Sequence, residues 1–187
     1  MRARSASISV SVKSKVLDYA QLTKMRLAWL VVLSALTGYF FALDMAYINW
    51  VQIFILILGG FMVTGSSNAF NQIIEKDLDK LMNRTSDRPL PDGRMEVNEA
   101  FWVASILGVF GVALLWIGLN PLSGILGLLA LFLYVAIYTP LKRVGPIAVF
   151  VGAFPGAIPP MLGYVAATNE FGLIPGQLFA TQFIWQF

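Results

Sequence analysis

Long apolar runs, each close to the thickness of a lipid bilayer, constrain this chain more than any other feature. Crossing the hydrocarbon core of a bilayer takes roughly 20 apolar residues. The chain has five such runs and the beginning of a sixth. They are residues 27–43, 51–74, 100–119, 122–141 and 146–168, and a run that starts near Leu173. We therefore predict an all-α, polytopic transmembrane helical bundle with five full spans and a truncated sixth.

The composition supports lipid as the surrounding medium. Hydrophobic residues make up 58% of the 187-residue chain and charged residues 12%, whereas soluble domains carry about 25% charged residues. A soluble chain of this length has too small an interior to bury so much apolar surface. The net charge of +3 does not form one compact basic patch, so we expect membrane lipid and no nucleic acid as a partner.

The basic residues predict the orientation in the membrane. Of the 13 Lys and Arg residues, six precede the first span, five lie between the second and third, and Lys142 and Arg143 lie between the fourth and fifth. All of them fall on the side of the N-terminus, whereas the other side carries Asp44 and Glu170. The positive-inside rule then predicts a cytoplasmic N-terminus, or a matrix one in mitochondria.

Two regions follow from this pattern. Residues 1–15 form a basic, Ser-rich stretch that we interpret as a flexible tail, with a transit peptide as the less favoured alternative. Residues 16–187 form the membrane domain, and residues 16–26 are expected to form a short interfacial helix.

Small residues and prolines modify the spans. Glycines at Gly59, Gly108 and Gly111 predict close contacts between helices. Pro155, Pro159 and Pro160 interrupt the fifth span, which predicts either a bend that lines a cavity or a simple kink.

The charged stretch after the second span is the candidate site. The chain contains no His and no Cys, so chemistry must rest on carboxylates, amides, Lys, Arg, Tyr or a bound cation. Asn71, Glu75 and Asp79 recur every four residues and form a stripe along one helix face. Ionisable groups at the end of a span are costly unless they are paired or coordinated.

The residue types in this stretch suit a diphosphate held through a metal ion. Mg²⁺ favours oxygen ligands, with one or two carboxylates and substrate phosphates completing its shell. Arg84 and Arg88 could donate to phosphate oxygens. The competing interpretation is a solvated loop whose opposite charges pair with one another.

The segment from Asn71 to Asp79 resembles the first aspartate-rich motif of the UbiA superfamily of intramembrane prenyltransferases, N-D-x-x-D-x-x-x-D. It departs at Gln72, where the motif has Asp, and at Glu75. Residues 82–91, 138–143 and 152–164 resemble the haem-farnesylating branch of that superfamily.

This resemblance implies a ring of nine helices around a cavity, and transfer of a farnesyl group from farnesyl diphosphate to a vinyl group of haem B, which gives haem O. It implies Mg²⁺ as cofactor, a bacterial inner membrane rather than a mitochondrial one, and haem-copper oxidase assembly machinery as a possible partner. Asn71, Glu75 and Asp79 would be the catalytic and metal residues. The expected diphosphate contacts are Lys24, Arg84, Arg88, Tyr138, Lys142 and Arg143.

The family's second acidic motif lies on a later helix pair, which this sequence does not contain. We therefore expect an N-terminal portion of a longer enzyme that is inactive alone. Two alternatives remain open: a related prenyltransferase acting on a quinone or chlorophyll precursor, and a transporter or channel that uses the carboxylates to bind a cation.

Overall fold

The structure of the protein is a computed structural model that describes residues 14–43 and 48–186. The expected flexible tail falls almost entirely outside these residues, and so does Asp44.

All regular elements in residues 14–43 and 48–186 are helical. They are α1 (14–22), α2 (Met25–Ala42), α3 (Trp50–Asp79), α4 (Val97–Gly118), α5 (Pro121–Phe132), a π-helical segment (Leu133–Tyr138), α6 (Thr139–Leu141), α7 (Ile147–Thr168) and α8 (Leu173–Trp185). Five stretches are long and apolar enough to cross a membrane: α2, α3, α4, the continuous run from α5 to α6, and α7. The predicted polytopic transmembrane helical bundle is therefore confirmed.

The structure refines two boundaries. The helix α3 extends to Asp79, five residues beyond the predicted apolar run, so the polar stripe lies on the spanning helix itself. The predicted helix over residues 16–26 is interrupted, because the chain turns at Thr23 and Lys24 before α2 begins.

Small residues permit close packing, as predicted. A Cβ at Gly111 would lie 2.8 Å from the Met62 side chain, and one at Gly59 would lie 2.7 Å from the Leu115 side chain, so α3 and α4 approach closely. A Cβ at Gly38 would overlap the Pro160 carbonyl across the contact between α2 and α7.

The prolines of the fifth span do not break it. The helix α7 continues from Ile147 to Thr168 through all three, and Pro155 and Pro159 line a central cavity. A helix in a bilayer tolerates the missing donors where neighbouring elements or a cavity accommodate the freed carbonyls.

The helices alternate in direction, so α1 and the loops at 80–96 and 142–146 gather at one end of the bundle. The turns at 119–120 and 169–172 lie at the opposite end. The charged residues that were predicted to act together are thereby brought to one end.

Candidate active site

The helix α3 carries the predicted stripe on a buried face. Asn71 is fully buried and Asp79 is 5% exposed, while the side chain of Glu75 is 14% exposed. Polar groups withdrawn from water to this degree need partners. Each of the three has a cationic partner, and these cations come from three different parts of the chain.

Asn71 lies at the centre of this cluster. Its Oδ1 accepts a hydrogen bond from Lys24 Nζ at 3.2 Å. Its Nδ2 donates to Glu75 Oε2 at 2.8 Å and to Thr139 Oγ1 at 3.3 Å. The side chain of Asn71 thus links the start of α2, the next turn of α3 and the end of the fourth span.

Glu75 pairs with a cation from the loop after α6. Lys142 Nζ lies 3.1 Å from Glu75 Oε1, and it also lies 4.7 Å from the centre of the Tyr138 ring. Arg143 donates to the Ile74 carbonyl at 2.6 Å. The loop therefore presents two basic side chains at this end of α3.

Asp79 pairs with Arg88 from the loop at 80–96. The Arg88 guanidinium donates to Asp79 Oδ2 at 2.6 Å, and the buried Thr85 hydroxyl donates to the Asp79 carbonyl at 2.9 Å. These bonds fold the loop back onto the end of α3.

Arg84 does not join the cluster. Its side chain is exposed, and no hydrogen bond or ion pair ties it to another of the described residues. Eight of the nine candidate residues therefore converge, and Arg84 lies at the surface of the same loop.

The sequence pattern did not indicate three further polar residues as part of the site: Asn68, Gln72 and Thr139. Thr139 is buried, and its hydroxyl donates to the Tyr134 carbonyl at 2.8 Å while accepting from Asn71. Asn68 and Gln72 donate to backbone carbonyls of the segment that precedes α2. Polar residues inside apolar spans are the signal that could have identified all three.

An apolar cavity of about 690 Å³ adjoins the charged cluster. Most of its wall is aliphatic side chains and small residues from α2, α3, α5 and α7. Tyr134, Tyr138 and Lys142 form part of its lining. Lys142 thus belongs both to the cavity and to the ion pair with Glu75.

The surroundings of Lys24 change its charge equilibrium. Burial, followed by the positive charges of Arg88 and Lys142, lowers the pKa of the Lys24 ammonium to about 8. The carboxylates of Glu75 and Asp79 act in the opposite direction. The concentration of positive charge marks this position as suited to an anion.

The oxygen atoms of the charged cluster are of the type that a hard divalent cation binds. Asn71, Glu75 and Asp79 supply only oxygen ligands, which suits Mg²⁺. Among the described residues no three acidic, His or Cys side chains are grouped so that they could hold a metal by themselves. Mg²⁺ usually binds through one or two carboxylates and completes its shell with water and phosphate oxygens.

A family model described as the UbiA prenyltransferase family matches residues 31–187. The chain is 53% identical over 170 residues to a protoheme IX farnesyltransferase of Christiangramia forsetii, covering 91% of this chain and 56% of that protein. It is 50% identical over 177 residues to one of Flavobacterium psychrophilum, covering 94% of this chain and 59% of that protein. The chain thus spans less than two thirds of the length of these relatives.

Solved structures share the fold. A structure of digeranylgeranylglyceryl phosphate synthase superposes with a TM-score of 0.80 at 20% identity, covering 92% of this chain and 60% of that one. A UbiA homologue from Archaeoglobus fulgidus bound to GPP and Mg²⁺ superposes with a TM-score of 0.71 at 18% identity, covering 90% of this chain and 60% of that one.

Proposed function

The chain belongs to the UbiA prenyltransferase family, and on that premise we propose that it supplies part of an active site that farnesylates haem B. The donor would be farnesyl diphosphate and the product haem O. The relatives named protoheme IX farnesyltransferase support this choice of substrates. The natural gene product would act in the bacterial inner membrane, with its N-terminus in the cytoplasm, and would deliver haem O to haem-copper oxidase assembly.

One observation carries the proposal: Lys142 joins the charged cluster to the apolar cavity. A prenyl diphosphate has the same two parts, an anionic head and an apolar tail. Lys24, Arg88 and Lys142 would bind the head, with Arg143 and Tyr138 beside them and Arg84 as a peripheral candidate. The cavity would offer the tail a largely apolar site.

The reaction consumes one water. The bond between C1 of the farnesyl group and the diphosphate oxygen breaks, and the electron pair leaves with diphosphate. The terminal carbon of a haem vinyl group bonds to C1. Water then adds to the remaining vinyl carbon and loses a proton, which gives the hydroxyethylfarnesyl side chain.

The residues of this chain assist the first step most directly. Positive charge from Lys24, Arg88 and Lys142 stabilises the departing diphosphate, and the charge is preorganised because these side chains already have fixed partners. Mg²⁺ bound through Asn71, Glu75 and Asp79 would supply further neutralisation of that negative charge. The apolar cavity protects the allylic cation from water before the vinyl group reacts.

The test uses the natural gene product in proteoliposomes with Mg²⁺, farnesyl diphosphate and haem B. We expect haem O to be detected by mass spectrometry, and we expect Glu75→Gln to lower its rate of formation by about 10²–10³-fold, because a carboxylate that would hold Mg²⁺ becomes an uncharged amide. Glu170→Gln is the matched control, since Glu170 is exposed at the opposite end. It should retain the original rate.

Two results would contradict the proposal. Full activity of the Glu75→Gln variant would remove the stripe from the catalytic site. Prenylation of 4-hydroxybenzoate in place of haem B would leave the reaction class intact and favour an acceptor from quinone synthesis.

A further inference from the structure

The turn that carries Lys24 has an uncommon backbone conformation. Lys24 has φ 50° and ψ 55°, in the left-handed region. This conformation is strained for a residue with a Cβ, which keeps it only where its surroundings enforce it. The enforcing contacts should therefore be visible around this turn.

Two side-chain amides from α3 hold the turn. The Gln72 amide donates from Nε2 to the carbonyls of Gln21 and Leu22, at 2.9 Å in each case. The Asn68 amide donates from Nδ2 to the Thr23 carbonyl at 3.0 Å. Three consecutive carbonyls at the end of α1 thus receive bonds from a neighbouring spanning helix, and the Gln21 carbonyl also accepts from the Lys24 N–H at 3.2 Å.

Burying the Gln72 side chain costs folding free energy that burying an apolar side chain would not. It is fully buried, and its Oε1 has no hydrogen-bond partner among the described residues. Both acceptors facing Nε2 are carbonyls, so the amide cannot be reversed to relieve that oxygen. An apolar side chain of similar size would fill the space without leaving a buried oxygen unpaired, which is destabilising.

The same turn directs Lys24 into the charged cluster. Its ammonium reaches Asn71 Oδ1 at 3.2 Å, and Asn71 lies between Asn68 and Gln72 on α3. We propose that Gln72 and Asn68 are positioning residues, which bend the chain before α2 so that the Lys24 ammonium faces the diphosphate. This inference rests on the proposed function, because it takes a diphosphate as the ligand of Lys24.

A positioning role also explains why Gln72 stands where the family motif has Asp. A carboxylate cannot donate to the carbonyls of Gln21 and Leu22, whereas the Gln72 amide does. With Nε2 directed at the N-terminal segment, Gln72 acts on the site through Lys24 and not as a ligand of its own.

The test is a double-mutant cycle in the natural gene product, with Mg²⁺ and inorganic pyrophosphate as the probe. Lys24→Ala should weaken pyrophosphate binding by roughly tenfold or more, because a charge-assisted hydrogen bond is lost. Gln72→Met should weaken it by several fold in the original background, and by less than about twofold once Lys24 is alanine. Isothermal titration calorimetry in nanodiscs measures all four affinities.

Two further variants distinguish the positioning role from a general loss of stability. Asn68→Leu removes the bond to Thr23 alone and should show the same dependence on Lys24. Asn120→Leu is the matched control, because its buried amide likewise donates to a backbone carbonyl, that of Val165 at 3.0 Å, but at the opposite end of the bundle. It should lower stability and leave pyrophosphate affinity unchanged in both backgrounds.

The outcomes separate the two proposals. Equal weakening by Gln72→Met with and without Lys24 would overturn the inference, and so would no weakening at all in the original background. If Lys24→Ala itself leaves pyrophosphate binding unchanged, the assignment of Lys24 to the diphosphate under the proposed function fails first, and the positioning role fails with it.

Discussion

Lys24 is the residue whose charge depends most on its neighbours. Its pKa of about 8, lowered first by burial and then by Arg88 and Lys142, lies well below the ordinary lysine value of about 10.4. The ammonium is therefore charged below about pH 8 and loses its charge above it. The other groups that face it are Asn71, Glu75 and Asp79.

This equilibrium predicts a loss of substrate capture at high pH. The kcat/KM for farnesyl diphosphate should fall as the pH rises through about 8, since that ratio reports ionisations of the free enzyme. Lys24→Arg should keep its kcat/KM to higher pH, because arginine stays protonated past about pH 12. Haem O formation would be measured for both proteins from about pH 6.5 to about pH 9.5, a range of about three units. Identical pH profiles for the two proteins would contradict the prediction.

Two glycines, one on each helix, allow α2 and α7 to pack closely together. A Cβ at Gly163 would overlap the Ala35 carbonyl, and one at Gly38 would overlap the Pro160 carbonyl. Because the obstructing atoms are backbone, neither helix can relieve the overlap by moving a side chain. The two helices line the cavity together, so their spacing also sets its width.

Gly163→Ala should therefore destabilise the bundle. We expect a loss of about 1–3 kcal/mol, typical of overpacking, seen as a lower Tm in detergent. Gly176→Ala is the control, since Gly176 lies within α8 with no atom within 4 Å of an added Cβ. It should be neutral or slightly stabilising, because alanine favours a helix by about 1 kcal/mol over glycine. Equal Tm values for the two variants would refute the role of close packing.

The sequence predicts the membrane-spanning helices better than it predicts the irregular turns within them. The five spans follow from apolar length alone, and each predicted span begins within three residues of the observed helix. The π-helical segment, Leu133–Tyr138, does not follow from that pattern. Pro140 lacks the N–H that an α-helix would need there, but the wider turn also depends on Thr139, whose hydroxyl donates to the Tyr134 carbonyl and accepts from Asn71.

The site shows the same division. Spacing of four residues was enough to place Asn71, Glu75 and Asp79 on one face. Which cation pairs with which anion depends on how distant loops fold, so the sequence could not distinguish the half-buried Arg88 from the exposed Arg84. The hydrogen bonds that the Gln72 side-chain amide donates could not be predicted either, because they require the contact between α3 and the turn before α2.

At the scale of the whole molecule, the charges divide the bundle into two unlike ends. Every Lys and Arg among the described residues lies at the end that carries α1 and the loops at 80–96 and 142–146, whereas Glu170 lies at the other. Basic loops are retained on the cytoplasmic side during insertion. The proposed site would then draw farnesyl diphosphate and Mg²⁺ from the cytoplasm, while its apolar cavity opens within the bilayer.

Cysteine labelling tests this orientation directly, because the 187 residues contain no cysteine. Asn83→Cys and Glu170→Cys place single exposed thiols at opposite ends, with any cysteine elsewhere in the gene product changed to serine. A membrane-impermeant maleimide should label Glu170→Cys in intact spheroplasts and Asn83→Cys only after permeabilisation. The reverse pattern would place the site outside the cytoplasm, where neither the positive-inside rule nor a cytoplasmic supply of the diphosphate could apply.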